Sequence, residues 1–398
     1  MSFSIGLSGL RAVNQELNVI SNNVANTSTA GFKSSRAEFA AIYGGGQAGG
    51  VEMNNVSQNF DRNGDVTRTG KGLDLAISGG GFFVLKEGNG QMSYTRAGMF
   101  QRDADNYLTT ANGTTRLQGY TTNDAGELQS GVVGDIQVKS NSLPAKASGT
   151  LEFVANLKAD ASVIDPKAHP FDPAKADSFN YSQSSKVYDS LGVEHAVTQY
   201  FVKTGDNAWQ VHYAFNGAKT GVPVKLAFNA DGTLKSPTTP PLLNLAPPGA
   251  EIISLNIDVA RITQYATDFN ATRNQSDGYT AGDLTGVRVD DDGGVYATFT
   301  NGQSLLQGQV VLANFTNPNG LLQTNNTTWQ QSFRSGQPVL GAPGTGTMGS
   351  LTAGAYEGSN VDLTGELVNL MTSQRNYQAN AKSISSSDKM TQVLFSSF

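Results

Sequence analysis

The sequence predicts a multidomain, mainly β protein, built of antiparallel sheet domains, with an α-helical coiled-coil domain formed by the N- and C-terminal segments. Three observations predict it. Heptad-spaced apolar residues are confined to the two ends, period-two alternation runs through the middle, and proline sets part of that middle apart. At 398 residues the chain has length for two or three domains.

The N-terminal element comes first. Leu10, Val13, Leu17, Ile20 and Val24 recur at 3-4-3-4 spacing, which places them on one seam of a helix. At the other end Leu363, Leu367, Leu370, Tyr377, Ala381 and Ile384 keep the same spacing, with polar Gln374 in register. Ser359-Asn360-Val361-Asp362 precedes this run and offers side-chain acceptors and a carboxylate where a helix start has unpaired N–H groups. Small and polar residues, Ser4, Gly6, Ser8, Gly9 and Asn14, cover much of the first helix. Glycines weaken an isolated helix by about 1 kcal/mol each, and short isolated helices are marginal in water. The ends are therefore expected to be disordered alone and to fold on assembly, by packing against copies of themselves.

Between the ends the period changes to two. Leu151, Phe153, Ala155 and Leu157 alternate with polar residues, as do Trp209, Val211, Tyr213 and Phe215, and Ile253, Leu255, Ile257 and Val259. These read as half-buried strands. Asp231-Gly232 and Asp291-Asp292-Gly293-Gly294 read as hairpin turns. No proline precedes Pro144, ten fall from Pro144 to Pro248, and only Pro318, Pro338 and Pro343 follow. Asn141-Ser142-Leu143-Pro144 and the stretch 236–249 are accordingly boundary candidates. The expected division is 1–26 plus 360–398 as the terminal helical domain, 27–70 plus 345–359 as a connector, 71–145 plus 279–344 as an inner β domain, and 146–278 as an outer inserted β domain.

Composition narrows the function. Lys plus Arg number 27 against 33 Asp plus Glu, a net charge of −6, and charged residues are 15% of the chain. Such a surface is unsuited to neutralising nucleic-acid phosphates. The absence of cysteine removes disulfides, thiolate nucleophiles and zinc–thiolate sites. The three histidines, His169, His195 and His212, have no metal-ligand spacing, and no Gly-x-Ser-x-Gly elbow or phosphate loop occurs. Asp61-Arg62-Asn63-Gly64-Asp65 lacks the order of a calcium loop and reads as a turn. No catalytic, metal or cofactor residue is therefore assigned, and no enzyme activity is expected. No apolar run reaches the length of a membrane span, and the first ten residues lack the pattern of a cleavable signal peptide.

Three motifs carry a family resemblance. Leu17-Asn18-Val19-Ile20-Ser21-Asn22-Asn23-Val24-Ala25-Asn26, with Thr29-Ala30-Gly31-Phe32-Lys33, resembles the N-terminal signature of the rod and hook axial proteins of the bacterial flagellum. The segment 72–83 resembles their second shared motif, and Glu357-Gly358-Ser359-Asn360-Val361-Asp362-Leu363, with the segments 366–370 and 374–382, is similar to their C-terminal signature. Tyr356 departs from the usual Leu, and the ending Phe395-Ser396-Ser397-Phe398 is unusual. In the middle, 187–192, 200–204 and 308–315 look like segments of the hook members.

The resemblance implies a helical inner domain from both termini, an ordered connector and two β domains. It implies a structural subunit that polymerises into a curved, flexible tube coupling rod to filament and transmitting torque. The implied partners are further copies of the chain, a distal rod protein, a hook-capping protein, a hook-filament junction protein and the flagellar type III export apparatus. Neither nucleic acid nor membrane insertion is expected. Export would leave the protein in the extracellular hook without a cleaved signal. A distal rod or hook-associated role is the alternative within the class, and a secreted β-rich adhesin the alternative outside it.

Overall fold

The computed structural model describes residues 2–44, 47–123, 126–139 and 142–396. Asn141 of the first boundary, and Ser397 and Phe398 of the chain end, lie outside the described residues. Two helices bracket a chain that is otherwise strands: α1 is Ser2–Ala25 and α2 is Leu363–Ser396. Asp362 caps α2, its Oδ1 accepting from the N–H groups of Thr364 at 3.1 Å and Gly365 at 3.2 Å. At the end of α1, Asn26 Nδ2 donates to the Asn22 carbonyl at 2.9 Å, and the chain turns off the helix.

Both helices are formed and paired within one chain, which departs from the expectation that the ends order only on assembly. The reason lies in the glycines that weaken α1 alone. A Cβ on Gly6 would sit 2.8 Å from Ile384 Cγ1, and one on Gly9 would sit 2.9 Å from Asn380 Oδ1. The bare positions thus let α2 approach closely, and packing replaces lost propensity.

The chain divides into two compact units. One comprises Met1–Ser140, Gly286–Thr298 and Ser304–Phe398; the other comprises Asn141–Thr285 and Phe299–Gln303. In the first, a long antiparallel hairpin, Ser35–Gly44 with Gln47–Gln58, leaves the end of α1. Next, Val66–Arg68 pairs with the returning strand Ala355–Glu357, and Leu75–Ser78 pairs with Ser350–Ala353, both antiparallel. Beyond them lies a thirteen-stranded sheet. Part of its core is aromatic: Phe82, Tyr94, Phe315 and Trp329 are buried with Val84, Val311 and Ala313. Phe82 and Trp329 meet edge to face at 5.6 Å, and Trp329 Nε1 donates to Gln58 Oε1 at 2.7 Å, tying the hairpin to this core.

The second unit holds two five-stranded sheets. Tyr181–Tyr188, Glu194–Gly205, Ala208–Phe215, Ala218–Phe228 and Leu234–Ser236 run as an antiparallel meander. The other sheet centres on Thr150–Lys158, antiparallel to Asn270–Ser276 on one edge. Its other edge is parallel to Ile253–Asp258 and then to Thr263–Tyr265, set end to end. Those parallel pairs depart from the antiparallel reading, because alternation reports which face is buried and not strand direction. The long excursion through the meander brings the chain back in the same sense. The alternating residues Leu151, Phe153, Trp209, Val211, Leu255 and Ile257 all join one core between these sheets.

Candidate functional site

No group of three or more His, Asp or Glu side chains that could hold a metal occurs among the described residues. The features that stand out are the surface of the helix pair and the junction where both helices enter the β domain.

On α1, Val13 and Ile20 are buried, while Leu10, Leu17 and Val24 are half-buried. On α2, Leu370, Ala381 and Ile384 are half-buried, whereas Leu363, Leu367 and Tyr377 are exposed. The contact between the helices explains the split. Gly6 faces Ile384, Gly9 faces Asn380, and Asn23 Nδ2 donates to Glu366 Oε1 at 3.0 Å, so the helices run antiparallel. This register puts Glu366, Leu370, Ser373, Asn380 and Ile384 toward α1, and Ser373 is buried. It bypasses Leu363, Leu367 and Gln374. What remains in water is a ridge on α2 at four-residue steps, with Leu363 and Leu367 46% exposed and Met371 53%, flanked by Val368 at 55%. Phe3, Ile5 and Leu7 of α1 and Met390 and Val393 of α2 are exposed as well.

The junction gathers most of the motif residues. Gly31 has φ +66, and a Cβ there would lie 2.4 Å from the Ala97 nitrogen, so only glycine lets the turn after α1 rest on the loop at 96–97. Phe32 is buried beside it. Asn23 bridges three segments, donating to the Ser35 carbonyl at 2.7 Å and to Glu366, and accepting from the Ser35 N–H at 2.9 Å. Asn360 does the same from the returning chain. Its Nδ2 donates to the Asn59 and Arg62 carbonyls, each at 2.8 Å, and its Oδ1 accepts from the Ser34 N–H at 2.7 Å. Asn22 is exposed and pairs with Asn26, Ala25 is exposed, Ser359 and Val361 are half-buried, and Asp362 is the cap already described.

Lys33 sits at the centre. Its Nζ donates to Glu357 Oε1 at 2.8 Å and to the Arg62 carbonyl at 2.9 Å, and both ionic side chains are fully buried. Arg96 approaches the same carboxylate from the β domain, Nη1 lying 3.5 Å from Glu357 Oε2, while Nη2 donates to the Gly79 carbonyl and to Asn63 Oδ1. The Gly64 N–H adds a donor to Glu357 Oε1 at 2.9 Å. Two buried cations therefore share one buried carboxylate. Burial pushes the Lys33 pKa down, with the Glu357 charge opposing and the Arg96 charge adding to the fall. Burial likewise lowers Arg96 against the pull of Glu357. On α2, burial raises the Glu366 carboxyl, and the hydrogen bond from Asn23 opposes it. Sequence motifs contained Lys33 and Glu357 without their pairing. Arg96, in a loop of no distinctive pattern, carried no signal at all.

An antiparallel pair of terminal helices with an apolar outer ridge, clamped to a β domain formed from the middle of the chain, defines a self-assembling axial subunit. Comparison with known proteins specifies which. The profile described as "Flagella basal body rod protein" matches residues 3–33 and "Flagellar basal body rod FlgEFG protein C-terminal" matches 352–396. "Flagellar hook protein FlgE/F/G D1 domain" matches 76–150 and "Flagellar basal body protein FlaE D2 domain" matches 156–279. The chain is 39% identical over 404 residues to the flagellar hook protein FlgE of Escherichia coli K12, with 99% of each chain covered. It is 38% identical to that of Salmonella typhimurium with the same coverage, and 34% to that of Rhizobium meliloti over 98% of this chain and 97% of that one. The crystal structure of Helicobacter pylori FlgE2 shares the fold, with a TM-score of 0.55 at 15% identity, covering 72% of this chain and 98% of that one. The chain belongs to the flagellar hook protein FlgE family and is a structural subunit of the hook.

Proposed function

We propose that the chain polymerises through its terminal helices into a curved, flexible tube that couples rod to filament and passes torque between them. The observation that carries this is the apolar ridge of α2. Leu363, Leu367, Val368 and Met371 each keep about half their surface in water while a neighbouring face of the same helix is buried on α1. Completing their burial contributes about 1 kcal/mol each, roughly 3–6 kcal/mol per subunit before ordering entropy. The seam residues Leu10, Val13, Leu17, Ile20 and Val24, with Leu370, Ala381 and Ile384, support the pair that presents this ridge; Leu363, Leu367 and Tyr377 belong to the surface offered to the next copy.

In this reading the helices form the inner layer, 27–70 with 345–359 the connector, 71–145 with 279–344 an inner β domain and 146–278 an outer one. The polymer meets a distal rod protein at its base and a junction protein at its top, and grows under a capping protein. Subunits reach it by flagellar type III export without a cleaved signal, a route compatible with a chain lacking disulfides. Its role is mechanical and calls for no catalytic step.

Leu367→Asp tests the assignment, read as tube formation by negative-stain electron microscopy alongside the melting curve of the monomer. Tubes should be lost while melting moves by less than about 2 °C, because the position is already half in water. Persisting tubes would remove Leu367 from the interface between copies, and a large fall in monomer melting temperature would place it inside the folded monomer instead.

A further inference from the structure

Phe333 is fully exposed, and the loop that holds it is braced. Asn317 donates from Nδ2 to the Arg334 carbonyl at 3.0 Å and from its N–H to the Ser335 carbonyl at 3.3 Å. Ser335 Oγ donates to the Ser332 carbonyl at 2.9 Å, and Ser332 Oγ donates to the Gly320 carbonyl. A Cβ on Gly320 would lie 2.4 Å from the Arg334 carbonyl carbon, so the turn Pro318–Gly320 lies flat beneath the loop. The aromatic ring is thus presented on a fixed platform, and ordering it on contact costs little. Beside it, the Arg334 side chain is exposed and makes no ion pair or hydrogen bond among the described residues.

The same compact unit carries a cleft of about 610 Å³, lined by Ala30, Ala97 and Met99 among hydroxyl and amide side chains. Glu87 stands in its wall. That carboxylate accepts a hydrogen bond from Asn89 at 3.3 Å and forms no ion pair among the described residues. Knob and cleft therefore complement one another in charge as well as in apolar character. They lie on different parts of one surface, and a contact between two different patches of identical chains is heterologous, repeating without limit unless the ring closes.

We propose that the Phe333–Arg334 loop of one copy docks into this cleft on the next, Phe333 against Ala30, Ala97 and Met99, and Arg334 paired with Glu87. The contact rests on the reading of the chain as a self-assembling subunit. It supplies a second interface between copies, made by β domains and independent of the helices.

The absence of cysteine makes the test clean. The full-length double variant Phe333→Cys, Met99→Cys is assembled, oxidised gently and run on a non-reducing gel. A ladder of covalent multimers is expected, and at most dimers from either single variant, since an unbroken chain of links needs both thiols. In parallel, Arg334→Glu and Glu87→Arg should each raise the critical concentration for tube formation about tenfold, and the double reversal should restore it. Tubes that form with no ladder and no charge rescue overturn the docking contact and leave assembly through the helices standing. A parent chain that forms no tubes overturns both. Should the cysteine pair fail to assemble, rescue by the double reversal supports the contact and its failure refutes it.

Discussion

Glu357 holds two cations in a buried site, so its removal should be felt more than that of either partner. Glu357→Gln keeps the shape of the side chain and an acceptor for the Gly64 N–H, and abolishes the charge. Lys33, with its side chain fully buried, and Arg96, 3% exposed, then face each other uncompensated. Leaving a buried charge without its partner costs about 3–5 kcal/mol, which in a unit of this size lowers the melting temperature by roughly 6–20 °C. Lys33→Met should cost less, because Glu357 keeps Arg96 at 3.5 Å. The two tryptophans make the assay specific. Trp329 is buried in the unit that contains Glu357 and Trp209 in the other, so in a Trp209→Phe background fluorescence follows the first unit alone. A shift below about 2 °C for Glu357→Gln, or a larger one for Lys33→Met, would refute the description of the junction as one anion serving two cations.

Three further outcomes follow from the same structure. Gly31→Ala forces a left-handed backbone at φ +66 and a contact 2.4 Å from the Ala97 nitrogen; a loss above about 2 kcal/mol is expected, seen as a fall of at least about 4 °C in the Trp329 transition. Burial, with the Lys219 charge second, lowers the His212 pKa from 6.5 to about 4. The unfolded chain therefore takes up a proton near pH 6.5 while the folded one does not, and stability present above pH 6.5 is lost as pH falls toward 4, by about 1–2 kcal/mol at pH 5. His212→Phe, which retains an aromatic partner for Phe171 at 4.0 Å, should flatten the Trp209 transition between pH 7.5 and 5; an unchanged pH dependence would assign it to other groups. Finally, replacing residues 146–278 by a short Gly/Ser linker should leave tubes that assemble but are straighter, measured as curvature in electron micrographs; tubes as curved as the parent would locate curvature in the inner layers.

The elements most legible in the sequence are those with a single dominant period. Leu10 to Val24 announce a helix, and Trp209 to Phe215 a half-buried strand, because burial on one side imposes spacing on the chain. The facing register of α2 is not legible in the same way. Its contact with α1 runs through buried Ser373 and through Asn380 opposite Gly9, where close backbone approach and not apolarity selects the residue, so counting leucines leads to Leu363 and Leu367 instead. The long hairpin Ser35–Gly44 with Gln47–Gln58 was equally hidden, since neither strand carries a sustained apolar alternation. At the junction, the motif residues were visible and their purpose was not. Asn23, Lys33 and Asn360 bond to partners that lie hundreds of positions away or on backbone carbonyls, and pairing across such separations leaves no local pattern to read.

The short pairing of Val66–Arg68 with Ala355–Glu357 also decides how the molecule bears tension. Val66 and Glu357 are register partners, so the two connections toward the helices leave from the same end of this ribbon. A pull exerted through α1 and α2 together draws both strands the same way and does not slide one past the other. A pull on α1 alone reaches the returning chain at once through Lys33 and Glu357. The load is then carried by two covalent chains side by side, so neither terminus can be drawn out of the β domain without straining its neighbour.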